Sequence, residues 1–384
     1  MKRLLLINSV CGQGSTGKIC VQLAGEYEQN GYEVRIAYGR FGKPSPGTEK
    51  YAVRIGSMFD VYVHVMYSRF FDRHGLASKM PTKRFLKWAD EYDPDILWLH
   101  NIHDYYVNYE LLFDWIKNRQ RFQKEHGQRI MEVRWTLHDC WAFTGHCTHF
   151  SFMHCDKWKT GCGECPQIRE YPASVLADNS DDNYRRKRNA FSGVADLTLI
   201  TPSNWLRELV KKSFLADYPT EVRYNTVDNE VFKPISSGFR MAHEIRDDQV
   251  MLLGVSGIWS KKKGLDDFKK LSGLLNLEND DRYCLVLVGL SLEQINNMQK
   301  GILCIPKTES ARELAEIYSA ADAFVNLTYE DTFPTVNLEA ESCGTRVITY
   351  DTGGCRETVR REDSVVVPTG DIDGVFKVIR SILR

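Results

Sequence analysis

Residues Asp322–Glu357 read DAFVNLTYEDTFPTVNLEAESCGTRVITYDTGGCRE, and this stretch decides the fold. The apolar run Ala323–Leu327 predicts a short strand, and Arg346–Tyr350 predicts the next one. Between them Pro334 suits the first position of a helix, where its missing N–H costs nothing, and Gly344 suits the position just past the helix end. A strand, a helix and a second strand in this order predict a parallel α/β sheet.

Two carboxylates, Asp331 and Glu339, flank the N-terminus of this predicted helix. Backbone N–H groups and the helix dipole favour an anion there, such as a diphosphate. A carboxylate one to two turns into the helix suits the hydroxyl groups of a sugar or a ribose. Because two acids eight residues apart are common, a solvated helix start is the alternative interpretation.

The whole stretch resembles the nucleotide-sugar site of the retaining GT-B glycosyltransferases of family 4. Their signature is E-x7-E followed by GG..E, and here it is carried by Asp331, Glu339, Gly353, Gly354 and Glu357. The first acid is Asp331 rather than Glu, and Glu330 is one residue out of register, so which carboxylate meets the sugar stays open. The resemblance covers nearly the whole chain. It implies an α/β protein with two Rossmann-like, doubly wound domains that face each other across a cleft.

The composition is that of a globular protein large enough for two domains. The chain has 384 residues, of which 43% are hydrophobic and 26% charged, and its formal net charge is -1. No global field therefore attracts nucleic acid or a membrane. The opening Met1–Ile7 is too short for a signal peptide, and eleven cysteines in such a chain do not imply a disulfide framework. We expect a cytoplasmic protein that does not bind nucleic acid.

The boundary between the domains is predicted at Asn225–Pro234, which resembles the interdomain segment of the family with Thr226 in place of the usual Gly. Residues 1–228 are then the acceptor domain and residues 229–384 the nucleotide-sugar domain. The segment Met58–Arg73 is aromatic and is predicted to be irregular. Further strands are predicted at 3–10, 33–38, 95–100, 131–137, 197–200, 251–255, 283–288 and 364–367, and helices at 81–92, 109–121, 309–320 and 372–383.

A glycine-rich loop follows the first strand, and Gly12-x4-Gly17-Lys18 nearly spells a P-loop. Ile19 stands where a Ser or Thr hydroxyl would bind Mg²⁺. One interpretation is a P-loop-like nucleotide-binding protein, and another is a turn that binds nothing. The resemblance implies a third, in which the loop faces the donor and Gly14 contacts it.

The strand predicted at 131–137 delivers His138 and Asp139 to its carboxyl end, where ligands bind in open α/β sheets. The resemblance implies that His138 contacts the acceptor or the sugar, and Asp139 could orient its ring. His100 and His103 follow the preceding strand. Packing or structural hydrogen bonds explain these two as well as catalysis does.

The Cys-rich insertion at residues 140–166 holds five of the eleven cysteines. The spacing of Cys147, Cys155, Cys162 and Cys165 suits a tetrahedral structural zinc site. Buried free thiols with an incidental CxxC are the alternative. The run HDCWAFTGHC resembles a subgroup of these transferases that is assigned to colanic acid or other exopolysaccharide assembly.

The loop after strand 251–255 is expected to hold the donor diphosphate, because family members carry an Arg and a Lys there. Lys263 matches the Lys, whereas Ile258 occupies the Arg position. Lys261 or Lys262 could substitute, although a lysine supplies a point charge rather than a bidentate fork.

The resemblance implies a retaining transfer of a sugar from a UDP-, GDP- or other NDP-sugar to a hydroxyl of a saccharide or lipid-linked saccharide. Exopolysaccharide, capsule or O-antigen assembly is the implied setting, and the donor needs no metal. Thr335 and Val336 would give amides to the phosphates, Glu339 would hold the ribose and Asp331 the sugar. The implied catalytic residues are His138, Asp331 and Lys263, and the implied donor contacts are Gly14, Gly257, Lys263, Thr335, Val336, Glu339, Gly353 and Gly354.

A basic run, Arg185-Arg186-Lys187-Arg188, lies in a predicted helix. Such a run is usually a solvated helix face. The alternative, functional interpretation is contact with a lipid diphosphate acceptor or with anionic headgroups. It would place the protein at the inner membrane face. An inactive GT-B scaffold is a further alternative to an enzyme.

Overall fold

The computed structural model describes residues 1–277 and 281–382. The chain divides into two compact units, Met1–Arg223 and Tyr224–Arg384. The boundary that the sequence predicts, after Asp228, lies five residues beyond this division (228 − 223 = 5). Leu383, the last residue of the predicted closing helix, lies outside the described residues.

The first unit is built on a seven-stranded parallel sheet with the order β3-β2-β1-β4-β5-β6-β7. Its strands are β1 (Arg3–Ile7), β2 (Glu33–Tyr38), β3 (Ala52–Arg54), β4 (Ile96–Leu99), β5 (Glu132–Thr136), β6 (Leu197–Thr201) and β7 (Thr220–Val222). Its helices are α1 (Gly14–Gln29), α2 (Met58–Phe71), α3 (Lys79–Tyr92), α4 (Tyr109–Glu125), α5 (Ser180–Phe191) and α6 (Asn204–Val210). The order reverses between β1 and β4, and this is where ligands bind in open α/β sheets.

The central strand β1 explains why this sheet is covered on both faces. Leu4 and Leu6 pack into one hydrophobic cluster, and Leu5 and Ile7 pack into another. All four side chains are fully buried. A continuous apolar run of this kind is typical of a parallel strand with helices on both sides.

The second unit has a six-stranded parallel sheet with the order β10-β9-β8-β11-β12-β13. Its strands are β8 (Val250–Val255), β9 (Tyr283–Val288), β10 (Ile302–Ile305), β11 (Ala323–Asn326), β12 (Arg346–Tyr350) and β13 (Val365–Val367). Its helices are α7 (Phe239–Ala242), α8 (Leu265–Leu277), α9 (Leu292–Asn296), α10 (Ala311–Ala320), α11 (Thr335–Ser342) and α12 (Ile372–Ile382). The order of this sheet reverses between β8 and β11.

Several predicted elements are confirmed residue for residue, namely the strands Glu33–Tyr38, Tyr283–Val288 and Arg346–Tyr350. Pro334 is the N-cap of α11, so the helix begins one residue later than predicted. Gly344 follows the C-cap residue of that helix with φ +89°, as the prediction requires.

The prediction of an irregular segment at Met58–Arg73 is wrong, because this segment forms α2. The helix begins with a reciprocal capping box, in which the Ser57 side chain accepts from the Asp60 N–H and Asp60 accepts from the Ser57 N–H. Its buried residues are Val61, His64 and Ser68, and most of its large apolar residues are exposed. Because most of its large apolar residues face solvent, the segment lacks the inward-facing apolar pattern by which a helix is predicted.

None of the helices in the described parts of the chain combines the length and the apolar character needed to cross a membrane.

Candidate active site

In the second unit, two loops meet where the order of the strands reverses. The loop after β8 carries three consecutive lysines in a short 3-10 helix, Lys261–Lys263. The loop after β11 carries Glu330 and Asp331 and leads into α11. The Tyr329 N–H donates to the Lys262 carbonyl at 2.8 Å, which joins the two loops. A cationic loop and an acidic loop are therefore fixed at the carboxyl edge of the sheet.

Lys263 and Asp331 form the central ion pair of this edge. The Lys263 Nζ lies 2.8 Å from the Asp331 Oδ2 and donates to the Glu330 carbonyl at 3.1 Å. The other oxygen of Asp331 accepts from the Phe333 N–H at 3.1 Å. Burial alone would lower the pKa of Lys263, but the neighbouring Asp331 carboxylate outweighs it, and the pKa is raised. The ammonium therefore stays charged at neutral pH.

The adjacent acid, Glu330, has a different environment. Its side chain is 5% exposed, and its Oε2 lies 3.3 Å from the Nζ of Lys262. The Asp331 side chain is 22% exposed. Neighbouring acids thus pair with neighbouring lysines, and Asp331 is the more accessible of the two carboxylates.

The two glycines after β12 hold the backbone of Asp331. The Gly354 N–H donates to the Asp331 carbonyl at 3.2 Å. Gly353 has φ +57°, and a Cβ atom there would lie 1.8 Å from the same carbonyl oxygen. Only glycine allows this approach without a shift of the backbone. The GG turn therefore positions the acidic loop.

Glu339 lies one turn inside α11 and is held by two hydroxyl groups. The buried Tyr318 hydroxyl donates to its Oε2 at 3.2 Å, and the Thr335 Oγ1 lies 3.4 Å from its Oε1. The helix itself is fixed by the buried Asn337, which accepts from the Asn326 side chain at 2.9 Å and donates to the Thr358 Oγ1 at 2.8 Å. The first N–H groups of a helix have no acceptor within it, and here Thr335 and Val336 supply the first two.

These groups together suit an anion that is linked to a hydroxyl-bearing group. A protonated lysine and helix N–H groups can hold a diphosphate, and a carboxylate can accept from hydroxyl groups. A cavity of about 480 Å³ opens beside the lysine loop and is lined in part by Gly257, Ile258 and Trp259. Ile258 is 80% exposed and provides no charge where the resemblance expects an Arg. Lys262, one of the two proposed substitutes, is paired with Glu330.

In the first unit, His138 follows β5, and its Nε2 lies 3.0 Å from the Nδ1 of His100. The two rings stack with 5.3 Å between their centroids. Burial lowers the pKa of His138 to about 4, although Asp139 opposes this shift, so the ring is neutral at pH 7. No pattern in the sequence indicates that His100 contacts His138.

Asp139, which the sequence suggests as a partner for His138, pairs with His103. The Asp139 Oδ2 lies 3.0 Å from the His103 Nε2, and its Oδ1 accepts from the Trp141 N–H at 2.9 Å. Burial would lower the pKa of His103, but Asp139 raises it above the ordinary value. The turns after β4 and β5 thus carry a His–Asp pair, which favours the protonated form of His103, beside a neutral histidine pair.

The glycine-rich loop is explained in part by packing. A Cβ on Gly12 would lie 2.7 Å from the Cβ of Ser45, and one on Gly17 would lie 3.1 Å from the backbone N of Gly12. Gly14, by contrast, is exposed with nothing within 4 Å of such an atom, and Lys18 is also exposed. Close packing therefore explains why Gly12 and Gly17 are glycines, and the role of Gly14 at the donor stays a prediction.

The four cysteines proposed to bind zinc all line one small cavity. The Gly145 N–H donates to the Cys162 Sγ at 3.2 Å. A hydrogen bond from Cys147 lowers the pKa of Cys165 to about 7 and raises that of Cys147. Within residues 1–277 and 281–382, however, no three His, Cys, Asp or Glu side chains form a group that could hold a metal ion. The geometry gives the zinc prediction no support.

The basic run in α5 is not a uniformly solvated face. Lys187 is 1% exposed, and its Nζ donates to the carbonyls of Trp141 and Thr144 at 2.7 and 2.9 Å. Burial lowers its pKa to about 7. Arg186 pairs with Glu110 at 2.9 Å. Lys187 therefore braces the Cys-rich insertion and is not available to a headgroup.

Known proteins resemble both the sequence and the fold. Residues 239–384 match the family model "Glycosyl transferases group 1". The "Putative colanic acid biosynthesis glycosyl transferase WcaC" of Escherichia coli strain K12 is 23% identical over an alignment of 401 positions, which covers 96% of this chain and 88% of that protein.

Two solved structures have the same fold at low identity. Sucrose-phosphate synthase from Thermosynechococcus elongatus superposes with a TM-score of 0.64 at 16% identity, covering 100% of this chain and 90% of that one. Anabaena Alr3699/HepE in complex with UDP gives 0.61 at 15% identity, covering 99% and 89%. The fold is GT-B, and the protein is a glycosyltransferase.

Proposed function

We propose that this glycosyltransferase transfers a sugar from a nucleoside diphosphate sugar to an acceptor hydroxyl with retention at the anomeric carbon. The observation that carries the proposal is the pairing of Lys263 with Asp331 beside the N-terminus of α11. The ammonium and the helix N–H groups neutralise the diphosphate as it leaves. Groups placed where charge develops contribute most to such a step.

Glu339 and Asp331 divide the recognition of the donor in this proposal. Glu339, held by Tyr318 and Thr335, accepts from the ribose hydroxyls. Asp331 keeps Lys263 protonated and presents its carboxylate to the sugar. The amides of Thr335 and Val336 and the loops at Gly257, Gly353 and Gly354 bind the phosphates. The name of the Anabaena neighbour records UDP bound to a protein of this fold, which supports a nucleotide as ligand.

The first unit serves the acceptor in this proposal. His138 is neutral, so it can accept a proton or donate one hydrogen bond to the acceptor or the transferred sugar. His100 orients its ring through the 3.0 Å contact. Transferred protons end on the leaving diphosphate. Gly14 of this unit contacts the donor in this proposal, and that role stays a prediction from the resemblance.

The acceptor class that we propose is a saccharide or lipid-linked saccharide in the assembly of an exopolysaccharide, a capsule or an O-antigen. The name of the Escherichia coli relative supports this setting. All eleven cysteines are free thiols. This supports a reducing compartment, and we place the reaction in the cytoplasm.

The test is a turnover assay with a panel of UDP- and GDP-sugars and a mixture of saccharide acceptors. The product's anomeric configuration is read by NMR at early times. Retention by the wild-type protein supports the proposal, and an inverted product overturns it.

A matched control separates the donor site from general damage. Lys270 forms an ion pair with Asp267 at 3.0 Å in the same unit. Lys270→Ala therefore also breaks a Lys–Asp pair, but outside the candidate site. Turnover should survive Lys270→Ala and fall severely in Lys263→Ala. Equal losses in both variants would remove the support that the Lys263 pair gives.

A further inference from the structure

Helix α2 exposes most of its large apolar side chains to solvent and buries polar ones such as His64 and Ser68. Seven large side chains on it are between 39% and 73% exposed: Met58, Phe59, Tyr62, Val63, Tyr67, Phe70 and Phe71. Apart from the adjacent pairs, successive members are three or four residues apart, so they form one continuous stripe on the solvent-facing side of the helix. Scattered exposed hydrophobic residues are normal, but a contiguous stripe of this size marks an interaction surface.

The inner face of α2 explains why the helix keeps this orientation. His64 is fully buried, and its Nδ1 lies 2.9 Å from the Ser78 Oγ. Its Nε2 accepts from the N–H groups of Gly75 and Ala77 at 3.1 and 3.3 Å. Turning the aromatic stripe inward would break these bonds in the interior. The exposed stripe is therefore built into the fold.

Neighbouring segments extend the apolar stripe at its end. The Val175 N–H donates to the Arg69 carbonyl at 2.7 Å, which fixes the 175–176 loop to the last turn of α2. Val175 is 49% exposed and Leu176 is 74% exposed. Met80 is 64% exposed and lies two residues after Ser78, the partner of His64.

A row of basic residues lies on α3, which begins beside α2. Between positions 73 and 88 the chain has no acidic residue. The exposed basic side chains of α3 are Lys79, Lys83, Arg84 and Lys87. None of these four forms a salt bridge with another residue in the described parts of the chain. Ser57 above all, and also the charge of Arg84, lowers the pKa of Asp60, so Arg84 lies close to the start of α2.

We propose that α2 and the start of α3 form a docking surface for an anionic lipid bilayer. Phe, Tyr, Val and Met side chains enter the boundary between headgroups and acyl chains, and the lysines and Arg84 contact the anionic headgroups. Aromatic side chains beside a basic row are the combination that binds such an interface. The positive charge of the basic row complements the negative charge of lipid phosphates. In a dimer formed through this surface, the basic rows of the two copies would repel each other. This surface replaces the basic run of α5, whose Lys187 is buried.

The apolar half of the proposal is tested by sedimentation of the full chain with vesicles. Phosphatidylcholine vesicles containing phosphatidylglycerol should bind the wild-type protein, and phosphatidylcholine alone should bind it far less. Phe59→Ser with Tyr62→Ser should weaken binding by about tenfold or more. Phe122→Ser on α4 is the matched control, because Phe122 is 52% exposed. It should leave binding unchanged.

The basic half is tested in the same assay by charge reversal. Lys83→Glu with Lys87→Glu should weaken binding by about tenfold or more, because each basic residue near an anionic surface contributes to attraction. Lys124→Glu, on an exposed position of α4, is the control. Raising the salt concentration should weaken wild-type binding and leave less difference between wild type and the reversed variant.

Three results would overturn the proposal. The first is wild-type protein that stays in the supernatant with phosphatidylglycerol vesicles. The second is equal weakening by the α4 controls. The third is a dimer, measured by light scattering without lipid, that Phe59→Ser with Tyr62→Ser dissociates, since the stripe would then face a second copy. Circular dichroism checks that the variants fold, and Leu176→Ser is the substitute if the double variant does not. None of these readouts depends on turnover, so they stand or fall apart from the proposed reaction.

Discussion

Replacing Lys263 by alanine removes the cation that pairs with Asp331 in the candidate donor site. The Nζ of Lys263 has two acceptors, the Asp331 Oδ2 at 2.8 Å and the Glu330 carbonyl at 3.1 Å. The variant leaves both without this donor. Asp331 keeps its hydrogen bond from the Phe333 N–H.

The effect on stability is expected to be modest, and the effect on rate large. The Asp331 side chain is 22% exposed, so water can partly replace the lost ammonium. The free energy of unfolding should fall by about 1–2 kcal/mol. Removing a charge that stabilises the leaving group costs about 3–4 kcal/mol of transition-state binding, which lowers kcat roughly 10²–10³-fold.

The assay measures nucleoside diphosphate release at saturating donor, with urea unfolding of the same samples. Lys263→Arg keeps the charge but not the shape of the ammonium, so its kcat should lie between those of wild type and Lys263→Ala. Lys270→Ala should behave like wild type. If Lys263→Ala keeps kcat within about threefold of wild type at a donor concentration shown to saturate it, Lys263 does not stabilise the leaving diphosphate.

Three further outcomes are expected, and a fourth measurement decides the zinc prediction. Asp331→Asn should lower kcat strongly in the turnover assay, whereas Glu330→Gln should mainly lower the urea midpoint, because the buried Glu330 pairs with Lys262; the opposite result would mean that the register of the first acid is shifted by one residue. His138→Ala should lower kcat while nucleotide affinity, measured by calorimetry, changes little. Burial lowers the pKa of His64 to about 3, so the unfolded chain binds a proton that the folded chain does not, and stability falls as the pH drops below about 6.5. The free energy of unfolding, measured in urea between pH 7 and pH 5, should fall less steeply with decreasing pH in His64→Gln than in wild type. The difference should reach up to about 1.4 kcal/mol per pH unit, and equal slopes would contradict this. If the Cys-rich insertion binds zinc, elemental analysis should find about one equivalent per chain that Cys162→Ser loses; protein without any transition metal would leave buried thiols.

The parallel sheets could be predicted closely from the sequence. The strands Tyr283–Val288 and Arg346–Tyr350 are buried apolar runs bounded by polar residues. In a chain that alternates strands and helices, such runs predict parallel strands. The helix α2 could not be predicted, because the assumption that apolar residues face inward fails there. His64 and Ser68 are buried, while Phe59 is 73% exposed.

The candidate site was only partly accessible from the sequence. The spacing of Asp331 and Glu339 identified a helix start with two acids, but not which lysine pairs with which acid. The pairs Lys262–Glu330 and Lys263–Asp331 join positions more than sixty residues apart. Contacts over such distances depend on how the strands are ordered, which local patterns do not encode. The same holds for Lys187, whose acceptors lie more than forty residues away.

The central claim is that the second unit binds the nucleotide of the donor, and calorimetric titration with nucleoside diphosphates tests it most directly. At least one of UDP, GDP and ADP should bind the wild-type chain. Its affinity should fall about tenfold or more in Glu339→Ala, because the ribose loses its acceptor, and stay within about twofold in His138→Ala. If none of the three nucleotides binds, or if Glu339→Ala binds as tightly as wild type, the proposed donor site is contradicted.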